Sequence, residues 1–118
     1  MRQSRTRQVD VRNRYSELSP GRAAITLAQY RVVDVRGAAE YRQGHLSGSA
    51  LAPLPTLEAA VGSWERAAPV LLVCRSGQRS TRAAERMAML GFTQVYNLTG
   101  GLNAWAAAAL PLAGCDPC

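Results

Sequence analysis

The chain reads as an α/β protein with a central parallel sheet of about five strands and helices on both faces. Three observations predict this. Strand-like and helix-like stretches alternate through the sequence, the pattern of strands joined by helical crossovers. The run Val70-Leu71-Leu72-Val73 is apolar at every position, as a strand covered on both faces must be. That run ends in Cys74-Arg75-Ser76-Gly77-Gln78-Arg79-Ser80 and passes into a helix-like stretch. Open α/β sheets carry their sites at the carboxyl ends of their strands, where this cysteine falls.

The elements follow in order. Tyr15-Ser16-Glu17-Leu18 reads as a short edge strand. Ser19-Pro20 opens a helix toward Gln29, with serine as N-cap and proline at the first helical position. Arg31-Val32-Val33-Asp34-Val35 is a β-branched run of strand length. Residues 38–43 form a short helix closed by Gly44. A brief strand at 49–52 and a helix from Thr56 toward Arg66 precede the apolar strand. The helix after the cysteine loop puts Ala83, Met87 and Leu90 on one side and stops at Gly91. Residues 94–98 make the last strand, and Gly101 opens the last helix.

At 118 residues and 47% hydrophobic content, the chain holds one folded domain with a single core. The division expected is a basic arm at 1–16, the folded domain at 17–112 and a tail at 113–118. No stretch approaches the ~20 apolar residues of a membrane span, and the start lacks an apolar signal region. A cytoplasmic protein with reduced cysteines is expected, with no membrane partner. All 14 basic side chains are arginine, giving net charge +6, and Arg2, Arg5, Arg7, Arg12 and Arg14 crowd the start. A solvated leader accounts for that crowding better than a nucleic-acid arm, because no aromatic residues are interleaved with the charges.

Chemistry concentrates at Cys74. Its loop offers backbone N–H donors, a helix N-terminus and two guanidiniums, the surroundings that turn a thiol into a nucleophilic thiolate. Lowering a thiol pKa of about 8.5 by two units takes roughly 2.7 kcal/mol. Hydrogen bonds to a charged group contribute roughly 1.5–3 kcal/mol each, so two or three loop amides suffice without a histidine base. The one histidine, His45, lies between Gly44 and Gly48 and reads as a turn-fixing residue. Asp34, Arg36 and Glu40 follow the second strand. Glu40 is expected in a salt-bridged bracket, and Arg36 is offered to the site. The tail's Cys115 and Cys118 have the C-x-x-C spacing of a dithiol, half a metal site or a resolving pair. Two further ligands for structural zinc are lacking, so neither a metal nor another cofactor is expected.

Together these segments resemble a single-domain rhodanese over roughly residues 17–112. The resemblance rests on Val32-Val33-Asp34-Val35-Arg36 with Glu40-Tyr41, on Gly44-His45-Leu46-Ser47-Gly48-Ser49, on the cysteine loop with Gly91-Phe92, and on Leu98-Thr99-Gly100-Gly101-Leu102-Asn103-Ala104-Trp105. It implies sulfur transfer through a persulfide on Cys74, with Arg75, Ser76, Gly77, Gln78 and Arg79 completing a six-residue loop. Arg75 and Arg79 would suit a small anionic donor such as thiosulfate. The acceptor would be a thiol, cyanide or a protein. A phosphatase branch shares the fold but closes a longer C-x5-R loop around phosphate, whereas Cys74 and Arg79 are spaced C-x4-R. Rhodanese-like interaction modules are the nonenzymatic alternative, and these often lack the cysteine.

Overall fold

The computed structural model describes residues 14–114. Most of the arginine-rich arm, residues 1–13, and the pair Cys115 and Cys118 lie outside the described residues. Five strands form one sheet: β1 (Ser16–Leu18), β2 (Arg31–Asp34), β3 (Ala50–Leu51), β4 (Val70–Val73) and β5 (Val95–Leu98). Their spatial order is β1-β5-β4-β2-β3, and every neighbouring pair is parallel. Parallel neighbours require crossovers. These carry α1 (Pro20–Thr26), α2 (Ala38–Arg42), α3 (Leu57–Val61) and α4 (Gln78–Met89), and α5 (Gly101–Ala107) follows the last strand.

Strand β4 is the centre of the sheet. It pairs with β2 from Arg31 opposite Val70 to Asp34 opposite Val73, and with β5 from Val70 opposite Val95 to Leu72 opposite Asn97. All four of its residues are fully buried. Side chains alternate across a strand. Val70 and Leu72 accordingly join Val33, Val35, Leu57, Val61, Ala84 and Met87 on the face covered by α3 and α4. Leu71 and Val73 join Leu18, Ala23, Leu98, Leu102 and Trp105 on the face covered by α1 and α5. Each fully buried Leu, Val or Met contributes roughly 1.5–3 kcal/mol. The same alternation continues to Cys74, which belongs to the α4 face.

Local differences from the sequence reading have physical causes. Ser19 caps α1 as expected, its Oγ accepting from Arg22 N at 3.2 Å, but the last turn tightens into a 3-10 segment at Leu27–Gln29. The third helix stops at Val61 instead of running toward Arg66, because Gly62 and Ser63 favour helix poorly. Arg66 braces the loop that replaces it: Nε donates to Leu90 O at 3.0 Å, and Nη1 donates to Trp64 O at 2.8 Å. Helix α4 begins at Gln78, so Gln78 and Arg79 form its first turn rather than loop. Pairing is also seen just outside 17–112. Ser16 pairs with Tyr96 in β1, and Ala113 bridges His45 through backbone hydrogen bonds of 2.7 and 2.9 Å.

Candidate active site

Cys74 ends the central strand with its side chain directed beneath the start of α4. Gly77 turns the chain there with φ of 100°, a left-handed conformation that favours glycine. The turn aims successive amides at the sulfur. Gly77 N donates to Cys74 Sγ at 3.0 Å and Ser80 N donates at 3.3 Å, while Ser80 Oγ lies 3.3 Å from the same atom. Cys74 is 1% exposed and Ser80 is fully buried. Burial pushes the thiol's pKa up. The Ser80 hydroxyl and the amides of Ser80, Gly77 and Ser76 outweigh that, leaving it below the ordinary value for cysteine.

Helix α5 holds the loop from behind. Leu102 N donates to Cys74 O at 2.8 Å and Asn103 N donates to Arg75 O at 2.9 Å. A carbonyl held on one side turns the N–H of its own peptide to the other. The amides of Arg75 and Ser76 therefore face away from α5, into the loop. The approach is so close that a Cβ on Gly101 would sit 2.5 Å from both carbonyl oxygens, and φ at this residue is 62°.

On the α2 side, Glu40 clamps the loop. Arg79 Nη1 and Nη2 donate to its two carboxylate oxygens at 2.9 and 3.0 Å, Gly37 N donates at 3.1 Å, and Arg75 Nε lies 3.7 Å away. The Arg79 hydrogen bonds lower the Glu40 pKa to about 2, against the effect of burial and with help from the Gly37 amide. Arg79 remains partly exposed and Arg75 largely so. Arg79 is thus both a fixed charge and one already paired.

Arg36, offered to the site from sequence, is engaged by Asp34 and Gly44. Its guanidinium is buried, 6% of the residue being exposed. Nε donates to both Asp34 carboxylate oxygens at 2.9 and 3.1 Å, and Nη2 donates to Asp34 Oδ2 at 2.8 Å and Gly44 O at 2.7 Å. Through Nε and Nη2, Arg36 ties the end of β2 to the turn after α2. His45 also fixes that turn, its Nδ1 2.8 Å from Tyr41 O and its ring stacked on Tyr41 at 3.7 Å. Ser80 and Gly101 were not singled out from sequence. The signal for Ser80 was its place in the first turn of a helix that follows a nucleophile loop. For Gly101 it was the double glycine that opens the last helix.

Residues 19–108 match the family model described as a Rhodanese-like domain. The uncharacterized protein YqhL of Bacillus subtilis is 37% identical over 84 residues, spanning 71% of this chain and 65% of that protein. Thiosulfate sulfurtransferase GlpE of Pseudomonas paraeruginosa is 35% identical over 75 residues, 64% of this chain and 68% of GlpE. The crystal structure of a rhodanese-related protein from Thermoplasma volcanium matches with a TM-score of 0.79 at 25% identity, over 85% of this chain and 99% of that one.

Proposed function

The chain belongs to the rhodanese-like domain family, and from that premise we propose that it transfers sulfane sulfur through a persulfide on Cys74. The Cys74 thiolate attacks the outer sulfur of thiosulfate or of a persulfide donor. The donor's S–S bond breaks, and sulfite or a thiolate leaves. The outer sulfur then passes to a thiol or cyanide, and Cys74 departs as thiolate. One observation carries this reading: a buried sulfur that accepts from the Gly77 and Ser80 amides at 3.0 and 3.3 Å, beside the Ser80 hydroxyl. Such donors stabilise Sγ both as attacking and as leaving group.

Arg75 and Arg79 favour an anionic donor at the mouth of the loop. The name of the Pseudomonas relative supports thiosulfate in that role. Arg36 is assigned a supporting part, holding β2 against the turn at Gly44. Four residues between Cys74 and Arg79 leave space suited to one sulfur rather than a tetrahedral phosphoryl group. Reduced-thiol chemistry of this kind suits the cytoplasm, and a protein thiol is a further candidate acceptor. No helix among the described residues is long and apolar enough to cross a membrane.

Steady-state assay with thiosulfate and cyanide tests the proposal. Thiocyanate should form with the parallel double-reciprocal lines of a two-step displacement and vanish in Cys74→Ser. Sulfite release without any acceptor turnover would point instead to a carrier. Cys74-dependent hydrolysis of an aryl phosphate would favour the phosphatase branch.

A further inference from the structure

On the side of the loop away from Glu40, an open cavity of about 710 Å³ is walled by Glu17, Gly77, Gln78, Arg82, Glu85 and Asn97. Glu17 is held in place by neutral donors. Thr99 Oγ1 donates to its Oε1 at 2.8 Å, and Asn97 Nδ2 donates to its two oxygens at 3.1 and 3.2 Å. Such donors fix a carboxylate without cancelling its charge. Asn97 itself is 3% exposed, and among the described residues its Oδ1 has no hydrogen-bond partner. That oxygen is enclosed by protein, and it is the Nδ2 end of Asn97 that meets Glu17 and, at 3.3 Å, Thr81 Oγ1 in the cavity wall. Among the residues that line the cavity, the two carboxylates of Glu17 and Glu85 stand against the single guanidinium of Arg82. The wall favours positive charge and N–H groups in a molecule whose net charge is +6.

We propose that this cavity is the acceptor subsite, and that it selects thiols carrying an ammonium group. The inference rests on the sulfur-transfer reading and names the acceptor within it. The anionic donor meets Arg75 and Arg79 on one flank, and the cationic acceptor meets Glu17 on the other. The ammonium pairs with the Glu17 carboxylate. Where the thiol also bears a carboxylate, as in a free amino acid, Arg82 receives it.

In the transfer step the acceptor thiol gives its proton to water, and its sulfur attacks the outer sulfur of the protonated Cys74 persulfide. The bond from that sulfur to Sγ breaks and its electron pair stays on Sγ. The acceptor leaves as a persulfide retaining the outer sulfur's proton, and no oxidant or reductant is consumed.

The test uses the full chain loaded with thiosulfate, freed of donor, and checked by intact mass. Single-turnover sulfur release is then followed with cysteamine, mercaptoethanol and mercaptoacetate at equal thiolate concentration. Cysteamine should react about fivefold faster than mercaptoethanol, with mercaptoacetate slowest, as an ion pair at a wet surface allows. The cysteamine-to-mercaptoethanol ratio, taken within each variant, should fall toward one in Glu17→Gln and decrease in Glu85→Gln. Loaded wild type that treats the three thiols alike, or a ratio unchanged in both variants, overturns the subsite. Wild type that takes up no sulfur overturns the sulfur-transfer reading beneath it.

Discussion

At the scale of single residues, the chemistry depends on donors around one sulfur more than on formal charge. Ser80→Ala removes a buried hydroxyl 3.3 Å from Sγ and leaves the amides in place. A hydrogen bond to a charged group contributes roughly 1.5–3 kcal/mol, part of which relaxation recovers, so loading at neutral pH should slow about tenfold. The midpoint of iodoacetamide alkylation against pH should move upward with it; an unmoved midpoint would leave Ser80 as packing only. Glu40→Gln should act oppositely on the donor, because it releases Arg79 from a two-point ion pair. The KM for thiosulfate should fall about threefold, read in the same assay. The pair also links stability to pH. Glu40 titrates near 2 in the fold against an ordinary 4.5, so its contribution is complete above about pH 4.5 and disappears as pH falls toward 2. The pair is partly solvated, so about 1 kcal/mol is at stake. Urea midpoints of wild type and Glu40→Gln should differ at pH 6 and converge near pH 2.

At the scale of elements, the site is a junction of three segments: the end of β4, the first turn of α4 and the first turn of α5. The last is the most brittle. A methyl on Gly101 has no room against the Cys74 and Arg75 carbonyls, and an alanine there would have to adopt φ of 62°. Gly101→Ala should therefore cost about 2 kcal/mol or more in urea unfolding. Gly21→Ala, where nothing lies within 4 Å of the new carbon, is the control and should change stability little. Loading should fail in the first variant and persist in the second. The β-branched run of β2, the apolar β4 and the Ser-Pro start of α1 were legible because local pattern alone produces them. The early end of α3 was legible only in part: Gly62 and Ser63 favour helix poorly, but the brace that Arg66 supplies by reaching Leu90 spans 24 positions of sequence. The role of α5 was hidden for the same reason: the bond from Asn103 to Arg75 exists only after the sheet is assembled.

At the scale of the whole molecule, strand order makes the site. With β4 central and its crossovers leaving on both sides, the loop after it stands where α/β sheets open to ligands. Cys74 was legible because its neighbours in sequence already announce strand, turn and helix. Arg36 was harder to place, because its hydrogen bonds to Asp34 and Gly44 form only when the end of β2 meets the turn after α2. Arginine elsewhere also serves the fold, as where Arg31 lies 3.7 Å over the Trp64 ring and Arg66 4.6 Å over Phe92. Abundance of that residue therefore says little about partners. The amides that donate to Sγ belong to Gly77 and Ser80, and the Glu40 clamp and α5 that brace their loop lie within residues 14–114, so removing residues 1–13 should leave sulfur loading unchanged, measured by the burst of sulfite. The most direct measurement is the intact mass of the protein after thiosulfate treatment, with peptide mapping of the modified cysteine. Wild type should gain the mass of one sulfur on the Cys74 peptide, removable by cyanide, and Cys74→Ser should gain none at that position. A wild type without added sulfur, or equal uptake by Cys74→Ser, would contradict persulfide transfer through Cys74.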